Sequence, residues 1–284
     1  MADSAVRVDR QDGVTLITLD DPKTRNALSP EMAQELYALL DQFEANPEER
    51  VLVLTGADPS FCSGANVRKF DETLTNLKES RGEKPLPWGA MEARLANHDA
   101  DKGEAGFGSV SDVPLRMYEV QKPTIAAVNG YAIGVGLGLA LSCDIRIAAD
   151  DAQFAEAFVR MGLVPGDGST WQLPRMIGMS NTLLLQYTGD RINAAEALRM
   201  NMISQVHAHG EMMDAAMALA TRLAAGATYA MSLTKYLVHK STELDLTESL
   251  RLAQTAQEQA RRSEDHGEAV RAFLDKRKPE FKGQ

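Results

Sequence analysis

Residues 51–54 and 124–128 are short, uninterrupted apolar runs, and each ends in a turn rich in small residues. The first turn, 55–66, carries Gly56, Pro59, Ser60, Ser63, Gly64 and Ala65. The second, 129–138, carries Gly130, Gly134, Gly136 and Gly138. A strand with no polar alternation must be covered on both faces, as parallel strands in α/β proteins are. A third strand at 144–148 follows, so the order strand, turn, helix repeats. Glycines at a strand-to-helix turn let backbone N–H groups aim at an anion, with the helix dipole in support. Two such turns brought together make an oxyanion hole for a carbonyl oxygen that gains charge. Taken singly, either set of glycines is equally explained by close strand–helix packing.

Composition narrows the setting. The 284 residues are 44% hydrophobic and 25% charged, which excludes disorder throughout and suits one large domain, or one domain with an appendage. A net charge of −10 opposes a phosphate backbone, so no nucleic-acid partner is expected. Cys62 and Cys143 are far apart and form no CxxC pair, which argues against a disulfide scaffold or a zinc module. Residues 1–4 lack the basic-then-apolar order of a signal peptide. The richest apolar stretch, 124–141, is broken by Asn129 and its glycines, so it does not read as a membrane span. No membrane partner and a cytoplasmic location are expected.

Along the chain, Val6 and Val8, then Asp12-Gly13, then Val14, Leu16, Ile17 and Leu19 predict a hairpin on a favoured two-residue turn. Ser29-Pro30-Glu31 predicts a helix start, and Leu36, Leu39, Leu40 and Phe43 continue at helical spacing. Residues 71–112 differ: two prolines, five glycines and nine acidic side chains against five basic predict a polar, variable insertion with about one helical turn. From Glu211 onward the pattern is helical. A boundary at 205/206 divides a core, 1–205, from a C-terminal helical unit, 206–284.

The motifs resemble the enoyl-CoA hydratase/isomerase (crotonase) family. They are Asn26-Ala27-Leu28, Phe61-Cys62-Ser63-Gly64-Ala65-Asn66, Lys122-Pro123-Thr124-Ile125-Ala126-Ala127-Val128-Asn129-Gly130, Cys143-Asp144-Ile145-Arg146, Gly162-Leu163-Val164-Pro165 and Thr188-Gly189-Asp190-Arg191-Ile192. The resemblance implies an α/β, crotonase-type ββα spiral with a C-terminal helical trimerisation unit, assembled as a homotrimer or a dimer of trimers. It implies an acyl-CoA substrate, with coenzyme A entering as part of that substrate and no cofactor bound permanently. The N–H groups of Ala65 and Val135 fall at the family's oxyanion-hole positions. Lys23, Arg25, Ala27, Ser63, Ala65, Asn66, Val67, Arg68, Phe281 and Lys282 match places where the family contacts coenzyme A.

The acid/base pattern departs from that of the family's hydratases. They carry two glutamates, and the corresponding positions here are Gly138 and Phe158, neither of which transfers a proton. Asp167, in Pro165-Gly166-Asp167-Gly168, is the nearest replacement. Isomerases of the family place an aspartate one residue earlier, at Gly166. Burial beside Phe158 or Trp171 would raise the pKa of Asp167 and suit it to proton transfer. As the residue before Gly168-Ser169, it also reads as a helix cap. Glu156 is the second candidate, sharing a face with Phe158 only if that stretch is extended. His98 is a weaker one. His207 and His209 form an HxH pair with no third metal ligand in sequence, so no metal is expected. Trp171 is expected in the core, and Phe158, Met161, Trp171 and the insertion are expected to shape the acyl pocket.

One acid/base suits double-bond isomerisation best. Hydration through non-standard acids and a non-catalytic acyl-CoA-binding role are the alternatives. A nicotinamide enzyme is suggested by Gly130, Gly134 and Gly136 with Tyr236 and Lys240. It is disfavoured because that glycine motif should open the first βα unit of the chain and here lies mid-chain.

Overall fold

Asp12 and Gly13 both adopt positive φ, the requirement of a tight hairpin turn whose twist matches its strands. They join β1 (Val6–Gln11) to β2 (Val14–Leu19) as an antiparallel pair. A computed structural model of the chain describes residues 4–66, 87–96 and 110–284. Ser29 caps α1 (Pro30–Ala45) by accepting the Met32 N–H, with Pro30 as its first residue. The helix buries Met32, Ala33, Leu36, Leu40 and Phe43 against the sheet side of the core. Truncating a fully buried aromatic such as Phe43 typically costs about 3–5 kcal/mol.

Three successive units then repeat one plan. β3 (Val51–Gly56) is followed by β4 (Ser60–Cys62), and among the described residues α2 (Trp88–Ala96) and α3 (Val113–Glu119) come next. β5 (Thr124–Val128), β6 (Tyr131–Ile133) and α4 (Val135–Leu141) form the second unit. β7 (Ile145–Ala149), β8 (Gln153–Ala155) and α5 (Ser169–Thr188) form the third. The first strand of each unit joins a six-stranded sheet in the order β1-β2-β3-β5-β7-β10, parallel from β2 onward. The second strand of each joins a smaller sheet, β4-β6-β8-β9, where β9 is Ile192–Asn193 and pairs antiparallel to β8. Every residue of β3 and β5 is buried, as their unbroken apolar sequences require. This is the ββα spiral that the resemblance implies, within the α/β class that the strand–turn–helix order predicts.

α6 (Ala194–Arg199) and β10 (Gln205–His207) precede four helices: α7 (His209–Ala224), α8 (Thr228–Ser241), α9 (Leu246–Arg261) and α10 (Glu264–Leu274). The boundary expected at 205/206 falls inside β10, which extends the large sheet by pairing with β7. α7 also belongs to the core, because Met212, Ala216, Ala220 and Ala224 are buried in its main cluster. The helical unit leaves the core at α8, and the pair Lys235 Nζ–Asp144 Oδ1, 2.9 Å apart and mostly shielded from solvent, fastens it there. Within the 71–112 insertion, the described part is more helical than expected: α2 and a 3-10 turn at Val110–Asp112. The remainder of the insertion, with His98, lies outside the described residues.

Candidate active site

The two glycine-rich turns meet. At Gly136 a Cβ would lie 2.3 Å from the Cys62 carbonyl oxygen, and at Gly64 one would lie 2.8 Å from the Ile133 carbonyl oxygen. Both are below any distance a real Cβ tolerates, so only glycine lets β4 and the start of α4 approach this closely. Gly64 has φ +100° and Gly134 has φ +53° with ψ −125°. That backbone brings Ala65 and Val135, one residue beyond each, to the junction. Neither of their N–H groups meets a backbone acceptor among the described residues. Val135 opens α4, so its N–H is one of the four that a helix leaves unpaired.

The segment before the first turn is threaded alongside it. Leu28 N–H donates to Gly64 O at 2.8 Å, Ser63 N–H to Arg25 O at 3.1 Å, and Ser63 Oγ–H to Thr24 O at 2.9 Å. Lys23, Arg25, Ala27, Ser63, Ala65 and Asn66 are thereby brought together, with Ala27 buried and Lys23 and Arg25 exposed. Arg25 and Arg191 both lie over the Tyr131 ring, 5.6 and 5.2 Å from its centre. Sequence reasoning did not single out Arg191 as a site residue. Val67 and Arg68 lie outside the described residues.

Phe281 and Lys282 are placed elsewhere. Arg50, at the start of β3, donates to Phe281 O at 2.9 Å, and Lys282 N–H donates to Asp265 Oδ1 at 2.7 Å. Ala65 lies beyond the opposite end of β3. Within one chain, then, these two residues do not join the groups around the glycine turns. The carboxylates of Asp265 and Glu264 hold the chain end where it is.

The acids converge on the far side of α4. The stretch after β8 coils into a 3-10 turn, Ala157–Met161, so Glu156 and Phe158 do not share a strand face. The Phe158 ring comes within 3.6 Å of where a Gly134 Cβ would stand, covering the second glycine turn. Glu156 instead points inward and is completely buried. Ser169 Oγ lies 3.0 Å from Glu156 Oε2 and 2.7 Å from Asp167 Oδ1. Ser169 N–H also donates to Asp167 Oδ1, at 3.1 Å. Asp167 therefore makes a cap-like bond at the start of α5, although the N-cap position itself is Gly168.

Gly138 is what admits this arrangement. A Cβ there would come within 2.4 Å of Asp167 Oδ2 and 2.9 Å of Asp167 Cβ. The Asp167 carboxyl occupies the space that any side chain at 138 would need. Gln172 Nε2 donates to Ser142 Oγ, whose O–H donates to Gly138 O, so α5 is strapped to α4 beside that contact. Burial raises the Asp167 pKa against the hydrogen bonds from Ser169. Burial, followed by the charge of Asp167, raises that of Glu156 well above the usual carboxylate range. Asp167 Oδ2 and Glu156 Oε1 have no hydrogen-bond partner among the described residues.

Asp167 lines a cavity of about 350 Å³ with Leu115, Tyr118, Gly166, Trp171 and Gln172, a size suited to a small organic group. Trp171 is a wall of this cavity rather than a core residue. Its ring stands edge-on to Tyr118 and carries Arg175 4.0 Å above its face. Tyr118, Trp171 and Gln172 also line a second, largely apolar cavity of about 440 Å³, which continues between α5 and α8. Ser169, Tyr118 and Gln172 escaped the sequence reading because no local pattern marks them. The thiols take no part, since burial pushes Cys62 up to about 11 and Cys143 up to about 12, keeping both protonated at neutral pH. His209 is engaged by Asp151 and Asp58 on the surface.

The ββα spiral brings two glycine-rich turns together at the start of α4, and the Asp167 carboxyl packs against Gly138 on the same helix. The sequence model of the enoyl-CoA hydratase/isomerase family matches residues 9–86 and 89–284, and the chain belongs to that family. It is 31% identical over 277 residues to the short-chain-enoyl-CoA hydratase of Clostridium acetobutylicum, covering 97% of this chain and 96% of that protein. It is 35% identical over 272 residues to the 1,2-epoxyphenylacetyl-CoA isomerase of Escherichia coli, covering 96% of each. The solved enoyl-CoA hydratase of Bacillus anthracis superposes with a TM-score of 0.81 at 30% identity, covering 99% of this chain and all of that one.

Proposed function

We propose that this chain acts on an acyl-CoA thioester by moving a proton beside the carbonyl through an enolate, with Asp167 as the single acid/base. The observation that carries the reading is the Asp167 carboxyl seated against Gly138. One carboxyl group takes the space that Gly138 leaves, on the helix whose first N–H serves the oxyanion. The thioester oxygen accepts from the N–H groups of Ala65 and Val135. Asp167 Oδ2 removes a proton from the carbon between the carbonyl and the double bond. The C–H electron pair moves into the conjugated enolate, with its charge on the oxygen held by the two N–H groups. Asp167 then returns the same proton at the far end of the conjugated system, so the double bond shifts and nothing is gained or lost. Each oxyanion donor supplies on the order of 3–4 kcal/mol to such a step.

Lys23, Arg25 and Arg191 supply cations for the coenzyme A phosphates, and the acyl group lies along Tyr118 and Trp171. Assembly as a trimer, or a pair of trimers, follows from the family resemblance. Relatives named as a hydratase and as an isomerase both stand at this level of identity, so the choice between them rests on residues. Two working carboxylates favour hydration; here Asp167 and Asp112 both line the cavity while Glu156 is sealed behind Asp167, and the single-acid reading rests on the seat of Asp167 against Gly138.

The test is incubation in deuterated water with saturated and unsaturated acyl-CoAs, followed by mass spectrometry. Wild type is expected to incorporate deuterium and move a double bond, and Asp167→Asn to lose at least about 100-fold of that rate. A product heavier by one water assigns a hydratase instead. Tight binding without exchange of any thioester assigns a non-catalytic binding protein.

A further inference from the structure

Ser169 has one hydroxyl hydrogen and two carboxyl groups within hydrogen-bond distance, Glu156 Oε2 at 3.0 Å and Asp167 Oδ1 at 2.7 Å. One hydrogen cannot serve both, and two ionised carboxylates have none of their own to offer. One of the two acids must therefore hold a proton and donate to Ser169 Oγ. The surroundings decide which. Asp167 Oδ1 already accepts the Ser169 backbone N–H at 3.1 Å, so it stands at the convergence of two donors, the setting that favours a charged oxygen. Glu156 accepts from no backbone N–H among the described residues, has Oε1 unpartnered and is completely buried, so its charged form is the costlier one. Gln186 Nε2 is 3.5 Å from Ser169 Oγ, which leaves the hydroxyl with two acceptor positions filled and one donor spent. Among the described residues, Asp167 is the charged group that acts on Glu156, and no Lys or Arg pairs with either acid.

We infer that Glu156, Ser169 and Asp167 form a directed hydrogen-bond chain, in which a protonated Glu156 donates to Ser169 Oγ and Ser169 donates to Asp167. Glu156 and Ser169 are then positioning residues. They hold Asp167 charged and oriented, with Oδ2 unpartnered among the described residues and packed against Gly138, while the spare proton stays on Glu156. The inference rests on the proposed role of Asp167 for its kinetic consequences only; the location of the proton is a property of the free protein.

Infrared difference spectroscopy on the free protein at neutral pH reads that location directly. The carbonyl stretch of a protonated carboxylic acid is expected in wild type and absent from Glu156→Gln. If wild type and Glu156→Gln differ only in carboxylate bands, the chain as inferred is wrong. Exchange kinetics test the positioning. Ser169→Ala is expected to slow α-proton exchange about 10- to 100-fold, the usual cost of loosening a reacting group, with less than about threefold change in KM. It should also move the acid limb of the pH–rate profile upward, because the charged form of Asp167 loses a donor. Ser169→Thr, which keeps the hydroxyl, is expected to restore most of the rate. Glu156→Leu removes the donor and should be slow as well, whereas Glu156→Gln, donating from its amide, recovers most of that loss. A Glu156→Gln protein as inactive as Asp167→Asn would make Glu156 the reacting base and overturn the inference. So would a Ser169→Ala protein with unchanged rate and pH limb. If wild type exchanges no thioester, the proposed function fails, and the infrared result still decides where the proton sits.

Discussion

Gly138 and Asp167 share one volume, and neither residue is interpretable without the other. In the sequence they are 29 positions apart, and Gly138 reads only as the loss of an acid. In the fold, that loss is what admits the Asp167 carboxyl. Gly138→Ala places a methyl group against both Oδ2 and Cβ of Asp167, so rotating the carboxyl is not enough to relieve it. The expected outcome is a destabilisation of about 1–3 kcal/mol by overpacking, measured by urea unfolding, together with a loss of thioester exchange. Glu156 makes a separate prediction. Its pKa is raised in the folded state, so between the ordinary carboxylate pKa and that raised value the folded chain holds more protons than the unfolded one. Stability therefore falls as pH rises through this window, by up to ~1.4 kcal/mol per pH unit for one proton. Glu156→Gln removes the dependence. Relative to wild type, the variant should gain stability in denaturant titrations as pH rises from the ordinary carboxylate range toward that raised pKa. Asp167 was legible as an isolated acid between glycines. Its link to Glu156 was not, because a hydroxyl between two carboxyls leaves no periodic trace in sequence.

Between elements, the decisive contact is that of β4 with the start of α4. The long buried strands and α1 were legible because unbroken apolar runs and a Ser-Pro cap are strong local signals. β4, β6, β8 and β9 were not, since strands of two or three residues carry no period. Those short strands nonetheless set the site, because their register fixes where the glycine turns meet. Gly136 illustrates the dependence: its missing side chain lets the Cys62 carbonyl approach, and the Ala65 and Val135 N–H groups proposed to hold the oxyanion belong to the segments it joins. Gly136→Ala should part β4 from α4 and misplace at least one donor. The expected result is an exchange rate lower by about 10²–10³, as for removal of one oxyanion donor. Far-ultraviolet circular dichroism should change little, because the strands of the large sheet stay paired. An unchanged exchange rate would show that the Ala65 and Val135 turns do not serve the oxyanion.

For the whole molecule, the two ends of β3 keep the chain terminus apart from the glycine turns. Arg50 at its start holds Phe281, and Ala65 lies past its finish. A six-residue strand alone spans about 20 Å, so a chain's own Phe281 and Lys282 stay remote from its own glycine turns. If these residues contact coenzyme A, as the family resemblance implies, they do so in a neighbouring subunit. Phe273 and Leu274, adjacent at the end of α10, are 83% and 72% exposed, a pair that a neighbouring subunit would cover. Light scattering is expected to give three or six times the chain mass, and Phe273→Asp to shift the population toward single chains. Kinetics then separate the two placements of Lys282. In the assembled protein, Lys282→Ala should raise KM for an acyl-CoA severalfold while leaving kcat nearly unchanged, since it removes a phosphate contact remote from the reacting carbon. In the Phe273→Asp background, where the neighbour is gone, the same substitution should add no further rise. An equal rise in both backgrounds would mean that the C-terminal tail folds back onto its own site instead.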